Sequence, residues 1–146
     1  QLALYVVIYS PIQMAADLLE NYEKNPEPFQ FIKDVAVDWE ETCVLNGEVG
    51  DFVTIARKDR NSDEWFLGSI TDETPRVLTA PLGFLDPGRR YRAEIYADAP
   101  GANYTDNREA IDISTREVTS ADVLTLRLAP GGGQAIRFVP LGRGRR

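Results

Sequence analysis

The chain has 146 residues, 43% of them hydrophobic, which is enough for one core and an attached segment. Its 23 acidic residues against 16 basic ones leave a formal charge of −7, which repels nucleic-acid phosphates and anionic lipid. One cysteine and no histidine exclude disulfide frameworks, histidine-based zinc sites and every catalytic group built on an imidazole.

Leu4-Tyr-Val-Val-Ile-Tyr9 is a continuous, mostly aromatic and β-branched run closed by Ser10-Pro11. Such a run predicts a parallel strand covered on both faces by helices. It falls far short of the roughly 20 residues a membrane span needs and has no basic n-region of a signal peptide. It also starts without a cap or turn residue, as if an element were already under way, and the chain is therefore expected to be a fragment. Met14, Ala15, Leu18, Leu19 and Tyr22 share one helical face that stops near Asn25-Pro26. Phe29, Phe31, Ile32 and Val35 then predict a second short helix with Pro28 near its start.

After about Val37 the period of the apolar residues changes to two, and a domain boundary is expected there. Asp51 to Ala56 and Trp65 to Ile70 read as a β-hairpin across the polar turn Lys58 to Glu64. Further strands are expected at Arg76 to Leu82, Tyr91 to Tyr96, Ala110 to Ser114, Val123 to Leu128 and Gln134 to Val139. Gly131-Gly-Gly133 reads as a hairpin turn between the last two. Seven short strands with regular turns predict an antiparallel sandwich. Gly142 to Arg146 reads as a solvated tail.

Asp59-Arg-Asn61-Ser-Asp63 matches the first half of a calcium loop, but Glu64 replaces the bending glycine and Ile70 stands where a bidentate Glu belongs. A solvated hairpin turn is the better reading. Asp38, Glu40, Glu41, Glu48 and Asp51 surround Trp39, which admits a paired-acid glycosidase site beside a sugar platform. Junction hydrogen bonds and surface charge are the simpler account, with Trp39 and Trp65 as core aromatics. Cys43, between Thr42 and Val44, reads as a small buried hydrophobe. Tyr9, Ser10 and Gln13 fall at the carboxyl end of the first expected strand, where barrel enzymes place substrate contacts.

The run Tyr9-Ser-Pro-Ile-Gln-Met-Ala-Ala-Asp17, followed by Glu20-Asn-Tyr22, resembles the end of the catalytic barrel of glycoside hydrolase family 97. The resemblance continues in order through Phe29-Gln-Phe-Ile-Lys-Asp34, Val37-Asp-Trp-Glu-Glu-Thr42, Gly47-Glu-Val-Gly50, Thr54-Ile-Ala-Arg-Lys58, Trp65-Phe-Leu-Gly68, Ile70-Thr-Asp72, Phe84-Leu-Asp-Pro-Gly88 and Ala129-Pro-Gly-Gly-Gly-Gln-Ala135. It implies a mainly β chain: residues 1-37 as a strand-helix-helix remnant of a (β/α)8 barrel, residues 38-141 as the C-terminal antiparallel β-sandwich, and residues 142-146 as an Arg/Gly tail. The family hydrolyses α-glucosides or α-galactosides with calcium at the active site. Its acids and calcium ligands belong to parts that precede this chain, so the resemblance carries no catalytic residue, metal ligand or cofactor onto it. It implies instead an accessory domain that packs against the barrel of its own parent chain, with Trp39, Glu40 and Thr42 at the junction. Carbohydrate would be met through the parent, in the periplasm or outside the cell. The alternative is a carbohydrate-binding module that presents an aromatic face to polysaccharide.

Overall fold

The computed structural model describes residues 1–142. Three short helices, α1 (Leu4–Val7), α2 (Leu19–Lys24) and α3 (Pro26–Asp34), lead into the β structure. Among the described residues the strands are β1 (Trp39–Glu48), β2 (Phe52–Asp59), β3 (Trp65–Thr71), β4 (Arg76–Pro81), β5 (Tyr91–Asp98), β6 (Ile111–Val118), β7 (Val123–Leu128) and β8 (Gly133–Pro140). They form a six-stranded sheet in the order β1-β2-β3-β8-β5-β6 and a two-stranded sheet of β4 and β7. Every pairing is antiparallel.

Alternation along the strands sorts the apolar side chains onto the two faces of the large sheet. Trp65, Leu67, Tyr91, Ala93, Ile136 and Phe138 face the small sheet and meet Leu124, Leu126 and Leu128 of β7 and Ala80 of β4. Phe66, Tyr96 and Ala135, the neighbours in the alternation, face the opposite way, where Ala3, Val6, Phe31 and Val35 of the helical segment cover them. The fold therefore has three layers. Phe31 seats α3 there through edge-on contacts with Phe66 and Tyr96, ring centroids 6.2 and 5.1 Å apart.

The expected strand at Leu4 to Tyr9 is instead the single helical turn α1, with Val7 N–H bonded to the Ala3 carbonyl at 3.0 Å and Ile8 N–H to the Leu4 carbonyl at 2.9 Å. No strand lies beside it among the described residues, so its backbone satisfies itself locally and only one side is buried. Gly68 of β3 makes that burial possible. A Cβ there would come within 2.6 Å of the Ala3 carbonyl oxygen and 2.9 Å of Val6 Cβ.

The helix expected from Met14 to Tyr22 forms only over α2, since Met14, Leu18 and Leu19 are exposed and a short helix without a packed face is marginal. The second helix is present, beginning at Pro26. β1 is a strand that sequence periodicity does not announce. It is an edge strand rich in Glu, with register shifts between Trp39 and Glu41 and between Val44 and Asn46.

Gly131-Gly-Gly133 does not close a hairpin, because β7 and β8 belong to different sheets. The triplet carries the chain from one sheet to the other. Gly131 adopts φ +65°, and the Asp98 carboxylate accepts hydrogen bonds from Ala129 N–H and Gly133 N–H, both at 2.9 Å. Burial raises the pKa of Asp98 above the ordinary aspartate value, and those two amides oppose the rise. The arginines of the expected tail, Arg143, Arg145 and Arg146, lie outside the described residues.

Candidate docking site

The chain that leaves α1 is tied to the large sheet at Val7 and Tyr9 by a buried arginine of β2. Arg57 donates to the Val7 carbonyl at 3.3 Å and to Thr42 Oγ1 at 3.2 Å. Its guanidinium also faces the rings of Tyr9 and Trp39 at 5.7 and 5.9 Å. Desolvation lowers its pKa, yet a guanidinium remains charged at any physiological pH. Tyr9, Trp39 and Thr42, expected at two separate places, thus converge on one cation that no sequence motif marks.

The remaining residues of this segment hold their own loop. Ser10 Oγ donates to the Ile12 carbonyl at 2.6 Å, and Gln13 Nε2 reaches the carbonyls of Tyr5, Ile8 and Ser10, each at 3.4 Å. Tyr5 donates its phenol to the Met14 carbonyl at 3.3 Å. The apolar side chains of this loop point outward: Ile12 is 75% and Met14 82% exposed, with Ile8, Tyr9, Leu18 and Leu19 also bare. A self-supported loop with an apolar exterior is shaped to be covered.

A second anchor lies on β8. Arg137 forms a fork with Glu64, at 2.8 and 3.0 Å, and reaches Asp34 of α3 at 2.7 Å and Glu94 of β5 at 3.5 Å. Each of these side chains is about four-fifths buried. The network ties the helical layer to the sheet. A charged residue inside the Gln134 to Val139 strand pattern is the available sequence signal for it.

The carboxylates around Trp39 are not a facing pair. Glu40 pairs with Lys58 at 2.7 Å, Asp38 with Arg60 at 3.0 Å and Asp51 with Arg76 at 3.3 Å. Trp39 and Trp65 are only 6% and 2% exposed, so neither ring is available to stack on a sugar. The Asp59 to Asp63 stretch closes on itself: Asp59 accepts from Asn61 N–H and Ser62 Oγ, while Asp63 pairs with Arg89. Cys43 is half-buried beside Glu41, and burial together with that carboxylate raises its thiol pKa, the reverse of an activated nucleophile. Among the described residues no group of three or more Asp, Glu or Cys side chains is placed to hold a metal ion.

Three comparisons bear on this arrangement. Residues 38–139 match the family model described as glycosyl-hydrolase 97 C-terminal, oligomerisation. A retaining alpha-galactosidase of Bacteroides thetaiotaomicron is 35% identical over 140 residues, which cover 94% of this chain and 20% of that protein. A glycoside hydrolase family 97 enzyme of Pseudoalteromonas sp. strain K8, solved with acarbose, superposes with a TM-score of 0.95 at 49% identity, covering 97% of this chain and 22% of the other. A beta-arabinopyranosidase shares the fold at 24% identity and a TM-score of 0.75, over 94% of this chain and 20% of that one. The chain spans about a fifth of the length of these relatives.

Proposed function

Since this chain belongs to glycoside hydrolase family 97 as its C-terminal domain, we propose that it serves a larger glycosidase without supplying any reacting group. It does so in two ways. One surface docks on the catalytic barrel of the same parent chain, and another joins parent chains into an oligomer, in keeping with the description of the matching family model.

The observation that carries the docking half is the outward apolar row Ile8, Ile12, Met14, Leu18 and Leu19 on a loop fixed from beneath by Arg57. A rigid loop orients what it touches. Tyr9, Ser10 and Gln13 hold the shape of that loop, so they influence substrate through the barrel wall. Trp39, Glu40 and Thr42 set the angle between sheet and loop. The parent is proposed to cleave α-galactosides, with α-glucosides as the second class, and to act in the periplasm or outside the cell. Calcium, if the parent uses it, takes its ligands from the remainder of the parent.

The test compares this chain with its full-length parent on aryl α-galactoside and aryl α-glucoside substrates. The parent is expected to turn over one of them, and this chain alone to match the buffer blank with or without calcium. Turnover by the isolated chain would refute the reading. A parent variant with Ile12→Asp and Met14→Asp is expected to lose thermal stability and activity together. An unchanged melting temperature in that variant would remove the docking surface from the proposal.

A further inference from the structure

We propose that the free edge of β6 is where two copies of this chain join, its occupant a second β6 running antiparallel about a two-fold axis through Ser114. The inference rests on the oligomerisation reading above and adds the surface and its register.

β6 is the last strand of the large sheet and pairs on one side only, with β5. Ile111, Asp112 and the run Ser114 to Glu117 are all exposed, while Ile113 packs against the helical layer, whose residues 24–28 flank Ile111 and Ile113 on that one face of the strand. Its eight residues Ile111-Asp-Ile-Ser-Thr-Arg-Glu-Val118 include no proline, glycine or lysine. Its pairing with β5 runs from Tyr91↔Val118 to Asp98↔Ile111 without a shift. Of the devices by which natural edges prevent pairing between chains, β6 has neither proline nor bulge, and keeps only the charges Asp112, Arg116 and Glu117. An edge left open in this way offers a row of backbone donors and acceptors to another strand.

The charges select the partner. With the axis through Ser114, Asp112 stands opposite Arg116 of the partner subunit and Arg116 opposite Asp112 of the partner subunit, which gives two identical cross-strand ion pairs on one face. On the other face Ile113 meets Thr115 of the partner subunit, a pair of β-branched residues. Among the described residues neither Asp112 nor Arg116 has an ion-pair partner within the chain, so both remain available. Sliding the register by two residues in either direction loses both pairs. Turning the second copy over places Asp112 against Glu117 of the partner subunit. One register therefore stands out, and it makes a continuous sheet of twelve strands with both small sheets on the same side.

The other edges do not fit a second copy as well. β1 has two register shifts and carries Glu40, Glu41 and Glu48 with no basic residue. β4 ends at Pro81, which has no N–H to give, and β7 carries Arg127 with no acidic residue to pair it.

The test uses the full chain that carries this domain, with Cys43→Ser as background. Sedimentation velocity is expected to show a concentration-dependent dimer. Asp112→Arg should raise its dissociation constant by roughly tenfold or more, because two symmetry-related pairs change sign together. Asp112→Arg combined with Arg116→Asp should restore it. Ser114→Cys should form a disulfide-linked dimer under mild oxidation, because opposed residues of antiparallel strands lie within disulfide reach. Thr115→Cys, which faces Ile113 of the partner subunit, should not. A dimer that ignores the charge changes and does not cross-link at position 114 overturns the β6 surface and leaves the oligomerisation reading standing. A chain that stays monomeric at every concentration overturns both.

Discussion

The guanidinium of Arg57, on β2, lies between the ring of Tyr9 and the ring of Trp39, 5.7 Å from one centroid and 5.9 Å from the other. One ring belongs to the loop that leaves α1 and the other opens the sandwich, so a single cation bridges the two parts of the chain. Replacing Arg57 with Ala removes this contact and the bonds to the Val7 carbonyl and Thr42, at a cost of about 2 kcal/mol. Urea unfolding should show the loss, and hydrogen exchange should show faster opening over residues 4–9. Arg57→Lys, which keeps the charge without the planar fork, should recover less than half of it. An unchanged urea midpoint in Arg57→Ala would mean that the loop is held elsewhere.

Gly68 offers an independent check on the same layer. A methyl group there meets the Ala3 carbonyl oxygen at 2.6 Å and Val6 Cβ at 2.9 Å, and the first of these is backbone. Gly68→Ala should therefore push α1 off the sheet and cost about 1–3 kcal/mol, the range for overpacking a filled core. At Gly83 an added methyl group would meet nothing within 4 Å and φ is not positive, so Gly83→Ala is the control and should stay near wild type. Limited proteolysis between residues 8 and 18 reads the difference directly. Equal cleavage rates in the two variants would contradict the packing described for α1.

Arg137 gathers Asp34, Glu64 and Glu94 onto β8. Removing the cation leaves three carboxylates near one another with little solvent to screen them, which is the costly direction for a buried ion network. Because each partner keeps about a fifth of its exposure, the expected loss for Arg137→Met is about 2–3 kcal/mol, below the full cost of a sealed pair. Adding Asp34→Asn and Glu64→Gln to Arg137→Met should recover part of that loss, since the repulsion goes with the charges. Thermal denaturation of the single and combined variants measures both effects. A triple variant no more stable than Arg137→Met would show that repulsion is not the cause.

The Arg76 guanidinium paired with Asp72, helped by the Thr74 N–H at 2.9 Å, holds the Asp72 carboxyl down to about 2 from an ordinary value of 3.8. The folded-state pKa is below the unfolded one, so the stabilisation is complete above 3.8 and is lost as the pH falls through about 2. Asp72→Asn does not titrate and should lose less stability over that acid window than the wild type. Urea midpoints taken from pH 5 to pH 2 compare the two slopes. Parallel slopes would show that Asp72 is not coupled to folding.

Most of the sandwich is legible in the sequence because its strands alternate: Leu124, Leu126 and Leu128 announce their face, and Tyr91, Ala93 and Ile95 announce theirs. β1 is not, since its few apolar residues, Trp39, Cys43, Val44 and Leu45, sit among Glu, Thr and Asn and its register shifts break the alternation. Leu4 to Tyr9 misleads for the opposite reason. An unbroken apolar run fits a buried strand and a short helix equally well, and only the space left by Gly68 decides between them. Of the docking site, Tyr9, Trp39 and Thr42 can be picked from the sequence, while Arg57 cannot. Its partners are 50 and 15 residues away along the chain, and nothing local marks that distance.

The match to the family model starts at residue 38, but the back of the six-stranded sheet, with Phe66, Tyr96 and Ala135, is roofed by residues that come before it. The family model and the packing therefore place the edge of this unit at different points. An expression clone trimmed to residues 38–139 would leave an oily slab facing water. Precipitation of such a truncated protein would reflect a missing roof, and the remedy would be to begin upstream of Ala3.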